Sequence, residues 1–141
     1  HSAHVTVADT RAWIRQARGK YDLMQDFVMG IFRRDTGACV GGTGIHLRSL
    51  EASIIEIGYW LAVDSVGQGF TREAVAALVE LAFGEVECRR IEIRVQPENQ
   101  RSRAVAIALG FVEEGIARAS LPRIEGNRDL VIYAKTSNAR A

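Results

Sequence analysis

Two features of this 141-residue chain are equipped for chemistry: a glycine pair and a carboxylate among isoleucines. The run Val66-Gly67-Gln68-Gly69-Phe70-Thr71 stands between an apolar stretch ending near Val63 and a helical pattern starting near Arg72. Glycines at such a junction let backbone approach a ligand closely, and the N–H groups and dipole of the first helical turn favour a phosphate. A dinucleotide fingerprint fails, because Arg72 stands where its last glycine would be, and GxxxxGK[ST] is absent. By themselves these glycines also suit an ordinary tight turn. Glu56 lies between Ile55 and Ile57. On a central strand an unpaired carboxylate is costly, so the reading predicts that it faces a wet cleft or a cationic partner, an arginine across the sheet included.

The elements that must position these groups follow from periodicity. Thr6 and Asp9 are spaced as a capping pair for a helix over 7–18, with Gly19 as its stop. Strands are predicted over 26–33 and 39–47, joined by the turn residues Asp35-Thr36-Gly37. A third spans 54–63, with Ile55, Ile57, Tyr59 and Leu61 on one face and Glu56 and Trp60 on the other. Val75, Leu78, Val79, Ala82 and Phe83 make one helical stripe over 72–85. Ile91, Ile93 and Val95 alternate as a strand, Asn99 caps a helix through Ala108, and Gly110 ends it. Strands over 111–119 and 130–135 complete the order αβββαβαββ, one α/β (α+β) domain over 1–141.

Composition narrows the functional classes. The formal net charge of +1 gives no bulk pull toward nucleic acid or an acidic membrane. No apolar run approaches the ~20 residues of a membrane span, and no signal peptide opens the chain, so a cytoplasmic protein is expected. Cys39 and Cys88 have no metal-ligand spacing, which points to free buried thiols and no metal site.

Four segments in order carry a family resemblance: Glu56-Ile57-Gly58-Tyr59-Trp60-Leu61, Gly67-Gln68-Gly69-Phe70-Thr71-Arg72-Glu73-Ala74, Asn99-Gln100-Arg101-Ser102, and Leu109-Gly110-Phe111-Val112-Glu113-Glu114-Gly115. Together they resemble the GNAT N-acetyltransferases, and within them the RimJ/RimL branch, from about Thr6 to Lys135. The resemblance implies a central, mostly antiparallel, splayed sheet flanked by helices, with acetyl-CoA as co-substrate and no metal. It also implies that the fold's first strand and first helix have no counterpart here. That would leave the strand 26–33 as an open edge on which two copies could pair as a homodimer.

Site roles follow from the same resemblance. Backbone at Leu61, Ala62 and Val63 would pair with the pantetheine arm, and Gly67, Gln68, Gly69, Phe70, Thr71 and Arg72 would hold the pyrophosphate. Asn99 and Ser102 would flank the thioester, although helix capping is an equal reason for an asparagine there. Glu56 is the candidate base and Ser102 a candidate acid, because the tyrosine acid of many relatives is replaced by Ala106. Val66 and Thr71 also depart from the family pattern, which more often has arginine or glutamine and then glycine or alanine. From the residues themselves, His46 could line the acceptor site or be a structural histidine, either Tyr59 or Trp60 could form its wall, and Arg118 could meet an acidic substrate or be a solvated surface arginine. The expected reaction is acetyl transfer to a protein or peptide N-terminal amine. Its rivals are a small-molecule amine (antibiotic, polyamine or amino acid) or a non-catalytic acyl-CoA-binding module.

Overall fold

The computed structural model describes residues 26–61, 69–121 and 129–137. The helix expected over 7–18 lies outside them, as do Ala62, Val63, Gly67 and Gln68. Eight elements follow in chain order: β1 Asp26–Phe32, β2 Cys39–Ser49, β3 Ile54–Leu61, α1 Phe70–Gly84, β4 Arg90–Val95, α2 Gln100–Ala108, β5 Val112–Ala117 and β6 Leu130–Thr136. The strands form one sheet in the order β1-β2-β3-β4-β6-β5. Every neighbouring pair is antiparallel except β3 and β4, which run parallel because α1 crosses over between them.

Alternation decides which face is covered. Ile45, Ile55, Ile57, Ile91, Ile93, Val131 and Tyr133 form one buried cluster with the stripe Val75, Leu78, Val79 and Ala82 of α1 and with Ala106 of α2. Both helices therefore lie on the same face of the sheet. Glu56, Glu92, Arg90 and Arg94, at the alternate positions, belong to the opposite face. Ala106, the position that the resemblance marks for a tyrosine acid, is fully buried in the core.

Two expectations need adjusting. Helix α1 begins at Phe70, two residues earlier than its apolar stripe suggests, because Gly69 adopts the left-handed conformation (φ +77°) and serves as its N-cap. Phe70 and Thr71 thus belong to the first helical turn, not to a loop. Only Cys88 is a buried thiol; Cys39, at the start of β2, is exposed. Strand β1 is the sheet edge among the described residues, and between it and α1 lies a groove of about 570 Å³ lined in part by Met29, Ile31, Phe70 and Leu78. No described helix is long and apolar enough to cross a membrane.

Candidate functional site

Strands β3 and β4 stay paired for only three positions, Ile54 with Arg90, Ile55 with Ile91 and Glu56 with Glu92. Beyond them β3 continues to Leu61 beside β2, while Ile93 to Val95 of β4 stay with β6. A wedge opens between the two strands, with Glu56 and Glu92 at its apex. Along Ile57–Leu61, β3 has no strand partner on that side among the described residues, so its backbone can accept an extended ligand as an added strand. Helices α1 and α2 both start at the open end, where β3 and β4 terminate. Crevices outside the carboxyl ends of diverging parallel strands are where α/β sheets bind ligands.

The start of α1 is suited to an anion. Gly69 offers no side-chain cap, and the first helical bond runs from the Glu73 N–H to the Gly69 carbonyl at 3.0 Å. The N–H groups of Phe70, Thr71 and Arg72 are left without intrahelical acceptors. Thr71 Oγ1 is buried and has no hydrogen-bond partner among the described residues. Helical side chains lean toward their own N-terminus, so this hydroxyl tilts toward the same opening. Among the described residues, an unpartnered buried hydroxyl beside three N–H groups without intrahelical acceptors fits a phosphorylated ligand. The Phe70 ring is used elsewhere: the Arg33 guanidinium sits 5.4 Å from its centre, so only its backbone faces the opening.

On the helix face, Tyr59 reaches across the wedge and its hydroxyl donates to the Ser102 carbonyl at 2.6 Å. Burial, with Tyr133 close by, pushes the Tyr59 phenol well above its ordinary value and keeps it a donor. Tyr59 is thus a strut between β3 and α2, and Trp60 is the aromatic on the other face. Asn99 Oδ1 accepts the Ser102 N–H at 3.1 Å, so Asn99 caps α2. Ser102 sits in the first turn of α2 at the open end. Arg118 is exposed just past β5, two strands from β4, and is not brought to the apex.

The face opposite the helices is polar, and register aligns it. Asp26, His46, Glu56 and Glu92 stand in one row across β1, β2, β3 and β4. Glu56 Oε1 is 3.5 Å from Arg48 and 3.7 Å from Arg94, so its cationic partners are arginines from both neighbouring strands. Arg90 and Arg94 hold Glu92 at 2.9 and 3.0 Å, and Arg90 also binds Glu114. His46 Nδ1 lies 3.0 Å from Asp26 Oδ1. The indole of Trp60 covers Gly42, where a Cβ would stand 2.5 Å from its nitrogen. Arg48, Arg94, Asp26 and Glu92 carried no signal in the sequence reading; the alternation of Arg90, Glu92 and Arg94 gives their face, but only the register gives their neighbours.

Glu92 makes the polar face testable. Burial works to raise its carboxyl, but hydrogen bonds and charge from Arg90 and Arg94 prevail and hold it below the ordinary 4.5. Its stabilisation is complete above that value and is lost as pH falls through the lower native one. Glu92→Gln is expected to cost about 1–3 kcal/mol near neutral pH, because it leaves the half-buried guanidinium donors of Arg90 and Arg94 poorly matched. Urea unfolding checks this: the gap between wild type and variant should narrow on acidification below the carboxyl range.

The family described as an acetyltransferase (GNAT) domain matches residues 1–112. YdaF of Bacillus subtilis is 37% identical over 98 residues, 70% of this chain and 54% of that protein. The ribosomal-protein-serine acetyltransferase of Escherichia coli is 34% identical over 80 residues, 57% of this chain and 45% of that protein. The chain spans about half the length of these curated relatives. Among solved structures, Mycobacterium smegmatis RimJ in complex with CoA-disulfide superposes with a TM-score of 0.83 at 30% identity, over 94% of this chain and 63% of that one.

Proposed function

The chain belongs to the GNAT acetyltransferase domain family, and from that premise we propose that it moves an acetyl group from acetyl-CoA to a primary amine, the α-amine of a protein or peptide. The observation that carries this reading is the wedge between β3 and β4, with the anion-ready start of α1 at its open end and Glu56 at its apex. Leu61, Ala62 and Val63 offer backbone to the pantetheine arm, while Gly67 to Arg72 hold the pyrophosphate through N–H groups, with the Thr71 hydroxyl beside them. The thioester then lies deep in the wedge, and a backbone N–H of β3 steadies the oxyanion as the amine attacks.

The acceptor enters on the polar face. Glu56 supplies the negative charge that meets a cationic amine, while Arg48 and Arg94 flank that carboxylate from the two neighbouring strands. Trp60 and His46 wall the approach, and Ser102 stands beside the leaving sulfur. Glu56→Gln removes a negative charge from the entry while both arginines stay, so the KM for a peptide amine should rise about fivefold, near 1 kcal/mol. Initial rates at varied peptide concentration check this, and an unchanged KM would remove Glu56 from the acceptor site.

The amine itself is identified by a panel. N-terminally free peptides, polyamines and aminoglycosides are each incubated with acetyl-CoA, and released thiol is measured. Peptides are expected to give the highest turnover. A polyamine or aminoglycoside ahead of every peptide would reassign the acceptor, and tight acetyl-CoA binding without turnover on any amine would indicate a binding module.

A further inference from the structure

The acceptor face holds an acid–imidazole pair whose geometry is that of a proton acceptor. His46 stands in register between Asp26 of β1 and Glu56 of β3. His46 Nδ1 stands 3.0 Å from Asp26 Oδ1, a contact that favours the ring proton on Nδ1 and leaves Nε2 as the nitrogen that can accept. Nε2 lies over two glycines. A Cβ at Gly44 would stand 3.6 Å from it, and one at Gly58 3.7 Å. The imidazole therefore lies along a floor cleared of side chains, and its accepting nitrogen reaches β3 two residues past Glu56, on the stretch where β3 has left β4. The side chain is 37% exposed, so an incoming group can reach it. Glu56 is differently placed, because two guanidinium groups already face its carboxylate.

We propose that His46, oriented by Asp26, takes the proton from the acceptor amine, while Glu56 holds the amine's charge during approach. The assignment rests on the transferase reading above. The amine lone pair forms the C–N bond at the thioester carbon as the carbonyl π pair moves to oxygen, and a proton passes from that nitrogen to Nε2. The carbonyl then re-forms, the C–S bond breaks with its pair on sulfur, and the imidazolium returns its proton to that thiolate through water or the Ser102 hydroxyl. Amine and thioester thus give amide and thiol with no proton gained or lost. Asp26 is a positioning residue: it fixes the tautomer and stabilises the imidazolium. Among the described elements, the charged groups that share this face with His46 include Asp26, Arg48, Glu56, Arg90, Glu92 and Arg94.

Three variants test this in the whole chain, with a free-amine peptide and acetyl-CoA. His46→Gln should lower kcat about 10²-fold at pH 7, the size of a lost general base. Its acetyl-CoA dissociation constant by calorimetry should stay within twofold of wild type, and the deficit should shrink as rising pH deprotonates the amine unaided. Asp26→Asn should lower kcat about tenfold, and the double variant should be no slower than His46→Gln, because Asp26 acts through that ring. Full kcat in His46→Gln, a deficit equal at every pH, losses that multiply in the double variant, or loss of coenzyme binding in His46→Gln would each overturn the assignment alone. A wild type that binds acetyl-CoA but turns over no amine would instead overturn the transferase reading, and this assignment with it.

Discussion

At pH 7 a peptide with a free α-amine is expected to be acetylated some two hundredfold faster than its twin with a blocked N-terminus and a free lysine. Only a neutral amine attacks a thioester. An α-amine of pKa near 8 is neutral roughly one time in ten at pH 7, against about one in 2,500 for a lysine near 10.4. An enzyme built for lysine must recover that factor with a strong base and a matched acid. Here the position that the family resemblance assigns to a tyrosine acid is a buried alanine, Ala106, so the matched acid is missing there. Initial rates of thiol release with the two peptides check the ratio. A faster lysine peptide would contradict the assignment of an α-amine acceptor.

The second large effect is at Gly69. Its φ of +77° places it in the left-handed region, which costs an L-residue about 1–2 kcal/mol. A Cβ there would meet no atom of the described residues within 4 Å, which leaves space beside the start of α1 for a ligand. A valine at this position would both resist the conformation that exposes the N–H groups of Phe70, Thr71 and Arg72 and occupy the space a pyrophosphate needs. Gly69→Val should raise the acetyl-CoA dissociation constant ten- to thirtyfold, about 1.4–2 kcal/mol. Gly37 provides the control, because its φ is +72°, its Cβ space is equally open, and it lies in the β1–β2 turn. Gly37→Val should show a similar loss of thermal stability with coenzyme affinity unchanged. Equal affinities in the two variants would remove the start of α1 from the coenzyme site.

Local chemistry made much of this fold legible in the sequence. Helix α2 was bounded by Asn99 and Gly110, and both do what their residue types favour: Asn99 caps the first turn and Gly110 takes a positive φ just past the last. The two faces of β3 could be read from alternation alone, which separated Glu56 and Trp60 from the core set. The start of α1 is not legible, because Phe70 and Thr71 lie N-terminal to the stripe beginning at Val75 and the conformation of Gly69 decides where the helix begins. The composition of the polar face was the least legible part. Alternation assigns a side chain to a face but does not say which residue of the next strand stands beside it, and register depends on pairing between distant segments. Hence Arg94 beside Glu56, Asp26 beside His46, and the glycine floor beneath the imidazole emerged only in three dimensions. The parting of β3 from β4 is likewise a property of two strands, and neither sequence carries it alone.

The most direct test is mass spectrometry of a peptide with a free N-terminus and blocked lysines, incubated with acetyl-CoA and this chain, with thiol release followed in parallel. One acetyl group on the α-amine is expected for each coenzyme thiol released. Acetyl-CoA bound tightly, with the peptide mass unchanged and no thiol released across the amine panel, would contradict it.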